Sequence, residues 1–361
     1  MSSVFGDKLK ISIFGESHGE AIGVVLDGLP CGEKIDIDKI TEQMKRRCPG
    51  NDETATSRKE SDAPKILSGL LNGFTTGAPL AAIIENNNKQ SSDYENVKIN
   101  PRPGHADYTA SVKYNGFNDI RGGGHFSGRL TACIVFAGAI CRQILDKKGV
   151  KIAAHIYSVS DIYDSKFDPI GVDETLINRL NRSGFALIDV QKEALIREKI
   201  ISAKLNNDSV GGIVECIATG VPAGVGSPIF NGIENNISSI MFGIPAVKGI
   251  EFGIGFECSK MSGSQNNDEF YYDGNSIKTK TNNCGGILGG ISNGMPILFR
   301  VAIKPTPSIG IRQQSINLNS KENSEFVIKG RHDPCIVPRA VPVVESACAI
   351  SLLDMMLKDN I

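Results

Sequence analysis

The chain has 361 residues, of which 40% are hydrophobic and 22% charged, a composition typical of a globular protein with a large core. Its 39 basic and 40 acidic side chains nearly cancel and form no basic stripe, which argues against nucleic acid as a partner. The N-terminal MSSVFGDKLK lacks an apolar signal segment, and no run reaches the roughly 18 apolar residues of a membrane span. We therefore expect a cytoplasmic protein without membrane contact.

The order of apolar patterns predicts a mixture of strands and helices. From the N-terminus we predict strands at KISIFG and AIGVVLDG, a helix at DIDKITEQMKRRCPG capped by Asp36 or Asp38, and a strand at APLAAIIEN. A long apolar helix follows at GRLTACIVFAGAICRQILDKKG, then helices at LINRL and VQKEALIREKIISAKLNND. GGIVECIATG, AVKGIEFGIGFE and MPILFRVAIK predict strands, and VPVVESACAISLLDMMLK predicts a closing helix. Because βαβ units do not alternate regularly, this order favours an α+β fold with antiparallel sheets covered by helices.

Two parts of the chain resemble each other. ILSGLLNGFTTGAPLAAIIEN (66–86) is similar to ILGGISNGMPILFRVAIK (287–304). Arg129 and Arg339 each open an apolar helix shortly after a His/Asp pair. We interpret this as an internally duplicated sheet-and-helix unit, with chance similarity of glycine-rich strands as the alternative. No Pro- or Ser-rich linker separates the halves, so we expect one domain over residues 1–361.

The cysteines indicate neither disulfides nor a metal site. There are nine, an odd number, and none forms a C-x-x-C pair. Reduced, mostly buried thiols are the ordinary interpretation. Clustered Cys and His ligands are lacking, so we predict no metal.

The segment FGESHG (14–19) fits G-x-S-x-G, the pattern of a hydrolase nucleophile elbow at Ser17. An elbow requires a helix directly after the serine, whereas EAIGVVLDGLP is better suited to a strand. We therefore favour a tight turn that presents Ser17 and His18, and keep a serine hydrolase as an alternative.

Other motifs concentrate Arg, His and Gly. In RPGHADYT, Asp107 follows His105 closely enough to orient the imidazole and raise its proton affinity. RGGGHFSGR (121–129) is a glycine-rich helix entry, which predicts a backbone anion cradle beside Arg129. KRRCPG adds Arg46 and Arg47 at a helix end, where cations also favour the helix dipole without any function.

The segment KGRHDPCIVPRAVPV (329–343) adds further candidates, namely Arg331, His332, Asp333 and Arg339. Arginine binds phosphate and carboxylate in a bidentate manner, and histidines in such a site suit acid–base chemistry. The residues alone predict an enzyme acting on a small polyanion. A non-catalytic anion-binding protein is a further alternative.

Taken together, GESHG, RPGHADYT, RGGG with SGR, GGILGGISNG and GRHDPC…RAVP…E resemble the chorismate synthase family. The resemblance implies a lyase that converts 5-enolpyruvylshikimate 3-phosphate to chorismate and phosphate by a 1,4-elimination, in the shikimate pathway of aromatic amino acid biosynthesis. It implies a requirement for reduced FMN, which lends electron density transiently without net redox change. It also implies a β-α-β sandwich, with helices between two antiparallel sheets, and a homotetramer.

The resemblance also implies roles for individual residues. His18 corresponds to the acid that protonates the departing phosphate, His105 to a proton donor for reduced flavin, and Asp333 to the aspartate that works with flavin N5 to remove the C6 proton. The implied substrate ligands are Ser17, Arg47, Arg129 and Arg339. The implied FMN ligands are His125, Phe126, Ser127, Gly289, Lys304, Pro305, Thr306, Pro307, Ser308 and Arg331. Lys304 and the hydroxyl groups of Thr306 and Ser308 suit the flavin phosphate.

The chain departs from the family pattern in two places. Many members carry an arginine and small residues where His125-Phe126-Ser127 stands. Many carry a second arginine after the RRxPG turn, where this chain has Asn51-Asp52-Glu53. Arg47 is kept as a possible NADPH contact, and NADPH is expected only as a possible source of reducing equivalents. The compact chain lacks obvious insertions, so we expect no intrinsic flavin reductase activity.

Overall fold

A computed structural model describes residues 3–48, 53–54, 62–86, 95–328 and 333–361. The strands, numbered β1 to β18 in chain order, are Val4–Phe5, Lys10–Gly15, Ala21–Asp27, Pro64–Ile66, Leu70–Leu71, Phe74–Thr75, Leu80–Glu85, Lys151–Val159, Ile162–Tyr163, Gly212–Thr219, Val247–Phe252, Phe270–Asp273, Ser276–Thr279, Ile287–Leu288, Ile291–Ser292, Ile297–Ile303, Gln313–Asn317 and Glu322–Phe326. The helices, α1 to α9, are Ile37–Arg47, Glu95–Ile99, Asp107–Lys113, Thr131–Lys147, Glu174–Arg182, Glu193–Leu205, Ile233–Phe242, Gly263–Asn266 and Val337–Lys358.

Two five-stranded sheets form the framework. The first has the order β1-β2-β3-β7-β4 and the second β11-β16-β10-β8-β9. All their pairings are antiparallel. The remaining strands form two-stranded hairpins. The predicted α+β class with antiparallel sheets is confirmed.

Two long helices, α4 and α9, lie between the sheets. α4 packs on β3 of the first sheet and β8 of the second, and α9 packs on β8 and β10. The two helices cross closely at Gly138, where an added Cβ would lie 2.2 Å from Cβ and 2.4 Å from Cα of Ser346. Glycine is therefore required at this crossing, because any side chain would meet the backbone of the other helix.

These two helices correct the expectation that no apolar run in the chain is long enough for a membrane span. Residues Gly128–Lys147 and Val337–Lys358 are long and apolar enough to cross a bilayer by length and composition. Their apolar windows are 83% and 94% buried within the protein, however. They are core helices whose apolar surface is covered by the two sheets on either side.

Several element boundaries follow from local chemistry. Asp36, rather than Asp38, caps α1, because its side chain accepts a hydrogen bond from the backbone N–H of Asp38. α9 begins at Val337, four residues before the predicted start at Val341, and includes Pro342 within its length. Arg339 therefore lies in the first turn of this helix rather than ahead of it.

The strand β8 was not predicted from the sequence, although it occupies an inner position in the second sheet. It carries His155, which is fully buried. The Nδ1 of His155 lies 2.9 Å from Asp164 and its Nε2 lies 3.0 Å from Glu215. Burial lowers the pKa of His155, but hydrogen bonds to Asp164 and Glu215 outweigh burial and raise that pKa above its ordinary value. His155 thus joins β8, β10 and the loop after β9 through charge-assisted hydrogen bonds.

The two similar segments occupy equivalent positions. β7 and β16, the strands at their ends, each lie second from an edge of their sheet. The helices opened by Arg129 and Arg339 are α4 and α9, the two that pack together between the sheets. This placement agrees with a duplicated unit, and a pseudo-two-fold superposition of the halves stays a prediction.

Candidate active site

Three arginines from distant parts of the chain converge on one region. Arg47 is the last residue of α1, Arg129 lies in the turn before α4, and Arg339 lies in the first turn of α9. Arg47 and Arg129 both contact the carboxylate of Asp62. Arg339 donates a hydrogen bond of 3.0 Å from Nε to the backbone oxygen of Arg47. The three arginines thus lie in one region, and the prediction that they form one anion site stays a prediction.

Arg46, the neighbour of Arg47, has a different and structural role. Its guanidinium contacts both oxygens of the fully buried Glu345 of α9, at 2.5 and 3.0 Å. Arg142 of α4 donates to the same carboxylate at 2.8 Å. These contacts fix the end of α1 against α4 and α9, which places Arg47 at the site.

Asp62 was not identified from the sequence. Its oxygen Oδ2 accepts hydrogen bonds from Nε of Arg47 at 2.8 Å and from the thiol of Cys48 at 3.3 Å. Burial raises the pKa of Asp62, but the charges of Arg47 and Arg129 outweigh burial and hold it below its usual range. The sequence offered no local signal, because the two arginine partners come from other parts of the chain.

Asp333 is oriented by the same cluster. Arg339 donates a hydrogen bond of 2.7 Å from Nη1 to Oδ2 of Asp333. The backbone oxygen of Asp333 accepts a hydrogen bond of 2.5 Å from the hydroxyl of Thr306. The side chain of Asp333 keeps 17% of its surface exposed. The structure thus brings together Asp333, Arg339 and the segment 304–308, as the predicted site requires.

Ser17 and His18 lie in a turn that lacks the form of a nucleophile elbow. The strand β3, rather than a helix, follows the FGESHG turn. The hydroxyl of Ser17 donates its one proton to the backbone oxygen of Arg121 at 3.1 Å. Its oxygen, 3.2 Å from Nδ1 of His18, therefore accepts from a protonated Nδ1. A nucleophilic serine needs a histidine that accepts the hydroxyl proton, so this geometry favours an acid site at His18.

The glycine-rich segment 121–126 separates and supports two histidines. Gly122 packs on His18, since an added Cβ would lie 2.1 Å from the ring atoms Nδ1 and Cε1. The next residue, Gly123, lies against His105, because a Cβ added at Gly123 would lie 3.2 Å from Nε2 of that ring. Both glycines have positive φ, 61° and 88°. The loop therefore holds His18 and His105 close to one another, although 86 residues separate them in the chain.

The anion cradle predicted for the glycine segment at this helix entry stays a prediction. A separate 3₁₀ turn, Gly128–Leu130, lies between the segment and α4. The backbone N–H of Gly123 donates to the oxygen of Ile120 at 3.1 Å. The three glycines have positive φ and close contacts, so the left-handed backbone and tight packing here both require glycine.

His105 is fixed by a carboxylate and an arginine. Its Nδ1 lies 2.6 Å from Oδ1 of Asp107 and 3.1 Å from Arg102. Nδ1 cannot both donate to Asp107 and accept from Arg102. We assign the proton to Nδ1, because its contact with the negatively charged Oδ1 of Asp107 is the shorter of the two. Burial raises the pKa of Asp107, but hydrogen bonds from Arg102 and His105 hold it well below its usual range. Nε2 of His105 is then the nitrogen that faces the glycine loop.

The predicted FMN segment 304–308 lies against the His105 loop. Lys304 contacts the backbone oxygen of Gly104, and Arg102 donates a hydrogen bond of 3.2 Å to the hydroxyl of Ser308. Burial and the nearby charge of Lys248 lower the pKa of Lys304. Arg102 was not assigned from the sequence, although it stands within the quoted RPGHADYT motif.

The other predicted FMN residues are distributed more widely. Both ring nitrogens of His125 have partners within the chain, since Nδ1 donates to the oxygen of Gly15 at 2.8 Å and Nε2 accepts from Ser3 at 2.9 Å. Ser127 caps the Gly128–Leu130 turn, and Phe126 is 36% exposed. Gly289, in the β14–β15 turn, has a φ of 61° and open space at its Cβ position. Pro307 packs near Gly104, while Arg331 lies outside the described residues.

Two further observations concern metals and NADPH. Within the described ranges, no group of three or more His, Cys, Asp or Glu side chains could hold a metal ion. Asn51 and Asp52 lie outside the described residues, whereas the backbone oxygen of Glu53 accepts a hydrogen bond from Lys204. These contacts do not bear on the binding of NADPH.

The fold is of the α+β class, and the site gathers histidine, carboxylate and arginine side chains in one region. A model of the chorismate synthase family matches residues 9–357. A chorismate synthase of Dehalococcoides mccartyi is 45% identical over 358 residues, covering 99% of this chain and 97% of the relative. One from Thermococcus kodakarensis is 45% identical over 353 residues, with 98% and 97% covered.

A solved structure agrees with these matches. A crystal structure of chorismate synthase is similar with a TM-score of 0.77 and 29% sequence identity, covering 98% of this chain and 93% of that one. The chain belongs to the chorismate synthase family, and it is a lyase of that kind. The resemblance inferred from the sequence motifs is confirmed.

Proposed function

We propose that this enzyme converts 5-enolpyruvylshikimate 3-phosphate to chorismate and phosphate by a 1,4-elimination that depends on reduced FMN, as a step of aromatic amino acid biosynthesis. The observation that carries the proposal is the placement of His18 and His105 against adjacent glycines. Asn86 joins the turn that holds His18 to the arginine cluster, since it accepts from Arg129 and donates to the backbone oxygens of Glu16 and Gly19. The site thus offers proton donors and anion ligands in one region.

The arginines suit the charge of this substrate, which carries a phosphate and two carboxylates. Arg47, Arg129 and Arg339 contribute three positive charges, and Asp62 and Asp333 offset two of them. The cluster therefore keeps a positive excess before substrate binds, which favours a polyanion electrostatically. Ser17 lies at the edge of the same region through its contact with the glycine loop.

His18 is proposed as the acid that protonates the departing phosphate. Its Nδ1–H remains on the hydroxyl oxygen of Ser17, so Nε2 is the nitrogen that gains and loses a proton. The ring is buried and rests on Gly122, which fixes its direction. Asp333 is proposed as the base for the C6 proton, with Arg339 orienting its carboxylate through Oδ2.

The residues around the His105 loop fit a flavin phosphate. Lys304, Arg102 and the hydroxyl of Ser308 lie together, with a further positive charge from Lys248 nearby. Lys304 to Ser308 would hold the phosphate, and His105 would hold a proton at Nε2 beside Gly123. Reduced FMN supplies electron density to the allylic system when bound. His125 can contribute mainly through its backbone or ring face, since both of its nitrogens are already hydrogen bonded.

The proposal extends to the assembly and surroundings of the enzyme. We propose a cytoplasmic homotetramer, since closed symmetric oligomers are the usual state of such enzymes. NADPH is proposed only as a possible source of reducing equivalents, with Arg47 as its possible contact. Light scattering that shows a monomer would remove the tetramer from this proposal without affecting the reaction.

The experiment is phosphate release from 5-enolpyruvylshikimate 3-phosphate with and without reduced FMN, in the wild type and in His18→Ala. We expect release only with reduced FMN, and a loss of about a hundredfold to ten-thousandfold in His18→Ala while flavin still binds. Wild-type rates in His18→Ala would reject the acid role. A covalent adduct at Ser17, together with loss of activity in Ser17→Ala, would support the serine hydrolase instead.

A further inference from the structure

Asp62 is a buried carboxylate beneath two of the proposed substrate arginines. Its side chain is fully buried, and the side chains of Arg47 and Arg129 are only 2% and 8% exposed. A charge removed from water to this extent persists in a fold only where charged partners compensate its lost hydration. Here both partners are arginines that the substrate is expected to contact.

The contacts of Asp62 restrict both guanidinium groups. Oδ2 accepts from Nε and Nη2 of Arg47 at 2.8 and 2.5 Å, and Oδ1 contacts Nη1 of Arg129. Arg129 also donates from Nε to Asn86 at 3.0 Å. Nη1 of Arg47 reaches the hydroxyl of Thr131 at 3.3 Å. One carboxylate thus determines the relative position of two planar cations that would otherwise repel each other.

The backbone of Asp62 is a second sign that this position is specialised. Its φ is +42°, in the left-handed region that few residues other than glycine adopt. Such conformations persist where the surrounding structure holds them, and they are frequent at ligand sites. Asp and Asn are the non-glycine residues that tolerate this conformation best, so Asp62→Asn removes the charge while keeping the backbone.

We propose that Asp62 is a positioning residue for substrate binding, which holds Arg47 and Arg129 side by side in the geometry that receives the substrate anions. This inference rests on the proposed function, because it takes the substrate ligands from there. Without the carboxylate, an amide can accept from one arginine through its oxygen but presents N–H groups to the other. One guanidinium would then move away, and substrate would bind to a less ordered pair.

The test compares Asp62→Asn with Asp354→Asn in anaerobic assays with reduced FMN. Asp354 is also a buried carboxylate, but it accepts hydrogen bonds from the backbone of residues 7 to 9 near the far end of α9. Both variants should unfold at lower temperature than the wild type. Only Asp62→Asn should raise KM for 5-enolpyruvylshikimate 3-phosphate, by roughly tenfold to a hundredfold, with kcat changed less than KM.

Equilibrium dialysis of the same substrate without flavin gives a readout that is independent of turnover. We expect Kd to rise by the same factor as KM in Asp62→Asn and to stay unchanged in Asp354→Asn. An unchanged Kd in Asp62→Asn, or an equal rise in both variants, would overturn the role of Asp62. If Asp62→Asn does not fold, Asp62→Glu is measured instead, since it keeps the charge but displaces the carboxylate by one methylene. A rise in Kd in Asp62→Glu would then support the role of Asp62, and an unchanged Kd would overturn it. A wild type that binds substrate but releases no phosphate would instead reject the proposed function.

Discussion

Replacing Gly122 by alanine should impair catalysis by displacing His18. The added Cβ would lie 2.1 Å from Nδ1 and Cε1 of the His18 ring and 2.6 Å from the hydroxyl oxygen of Ser17. Ordinary contact begins at 3.4 Å, so the ring must move by about 1.3 Å. That shift would break the 3.2 Å hydrogen bond between Ser17 and His18. A misplacement of about 1 Å in a reacting group can lower the rate about a hundredfold.

The φ of Gly122 is 61°, so alanine there also adds backbone strain of about 1–2 kcal/mol. Gly116 is a matched control, because its φ is +76° and no atom lies within 4 Å of its Cβ position. Both alanine variants should therefore lose stability in urea unfolding, and Gly122→Ala should lose more because its methyl group also meets the buried His18 ring. Phosphate release with reduced FMN should fall about a hundredfold only in Gly122→Ala. Equal activity in the two variants would refute the role of Gly122 in positioning His18.

Three other predictions concern stability and thiol chemistry. Gly138→Ala should destabilise the fold by about 1–3 kcal/mol, because the new methyl group meets the backbone of Ser346; a stabilised variant in urea titrations would contradict the helix crossing. The folded pKa of His155 exceeds the unfolded value of about 6.5, so its stabilisation is full below that pH and is lost as the pH rises through the folded pKa. His155→Gln should thus lower the free energy of unfolding by about 3–5 kcal/mol at pH 6 and by less at pH 9, and parallel pH curves for the two proteins would argue against the buried ion cluster. Burial and then Asp62 raise the pKa of Cys48 to about 12, so iodoacetamide at pH 8 should alkylate it far more slowly than the exposed Cys31, as mass spectrometry of the labelled peptides would show.

The sequence predicted those elements whose signal is local. α1 shows a capping aspartate and an amphipathic pattern, and β2, β3, β7, β10, β11 and β16 lie where the apolar runs indicated. β8 was missed because KIAAHIYSV is a nearly continuous apolar run with no clear period, which is compatible with more than one element type. The buried His155 gave no sign of its partners, which lie 9 and 60 residues away.

In the active site, too, partners that are distant in the chain could not be predicted. The motifs around His18, His105 and Asp333 identified candidate residues, and Asp107 was expected to orient His105 because it is only two residues away. Asp62 stands in the polar stretch SRKESDAPK, where nothing distinguishes it from a surface aspartate. Its importance comes from arginines that reach it from α1 and from the turn before α4. Similarly, nothing in the sequence indicated that Gly122 and Gly123 of RGGG lie against His18 and His105, which come from other segments.

The most direct test of the proposed reaction is a count of product against reductant under anaerobic conditions. Enzyme loaded with a known amount of reduced FMN receives an excess of 5-enolpyruvylshikimate 3-phosphate, and phosphate, chorismate and reduced flavin are all quantified. An elimination without net redox change predicts many phosphates and equal chorismate per reduced flavin, no consumption of reductant, and no turnover with oxidised FMN. One reductant consumed per product, or equal turnover with oxidised FMN, would contradict the proposed function.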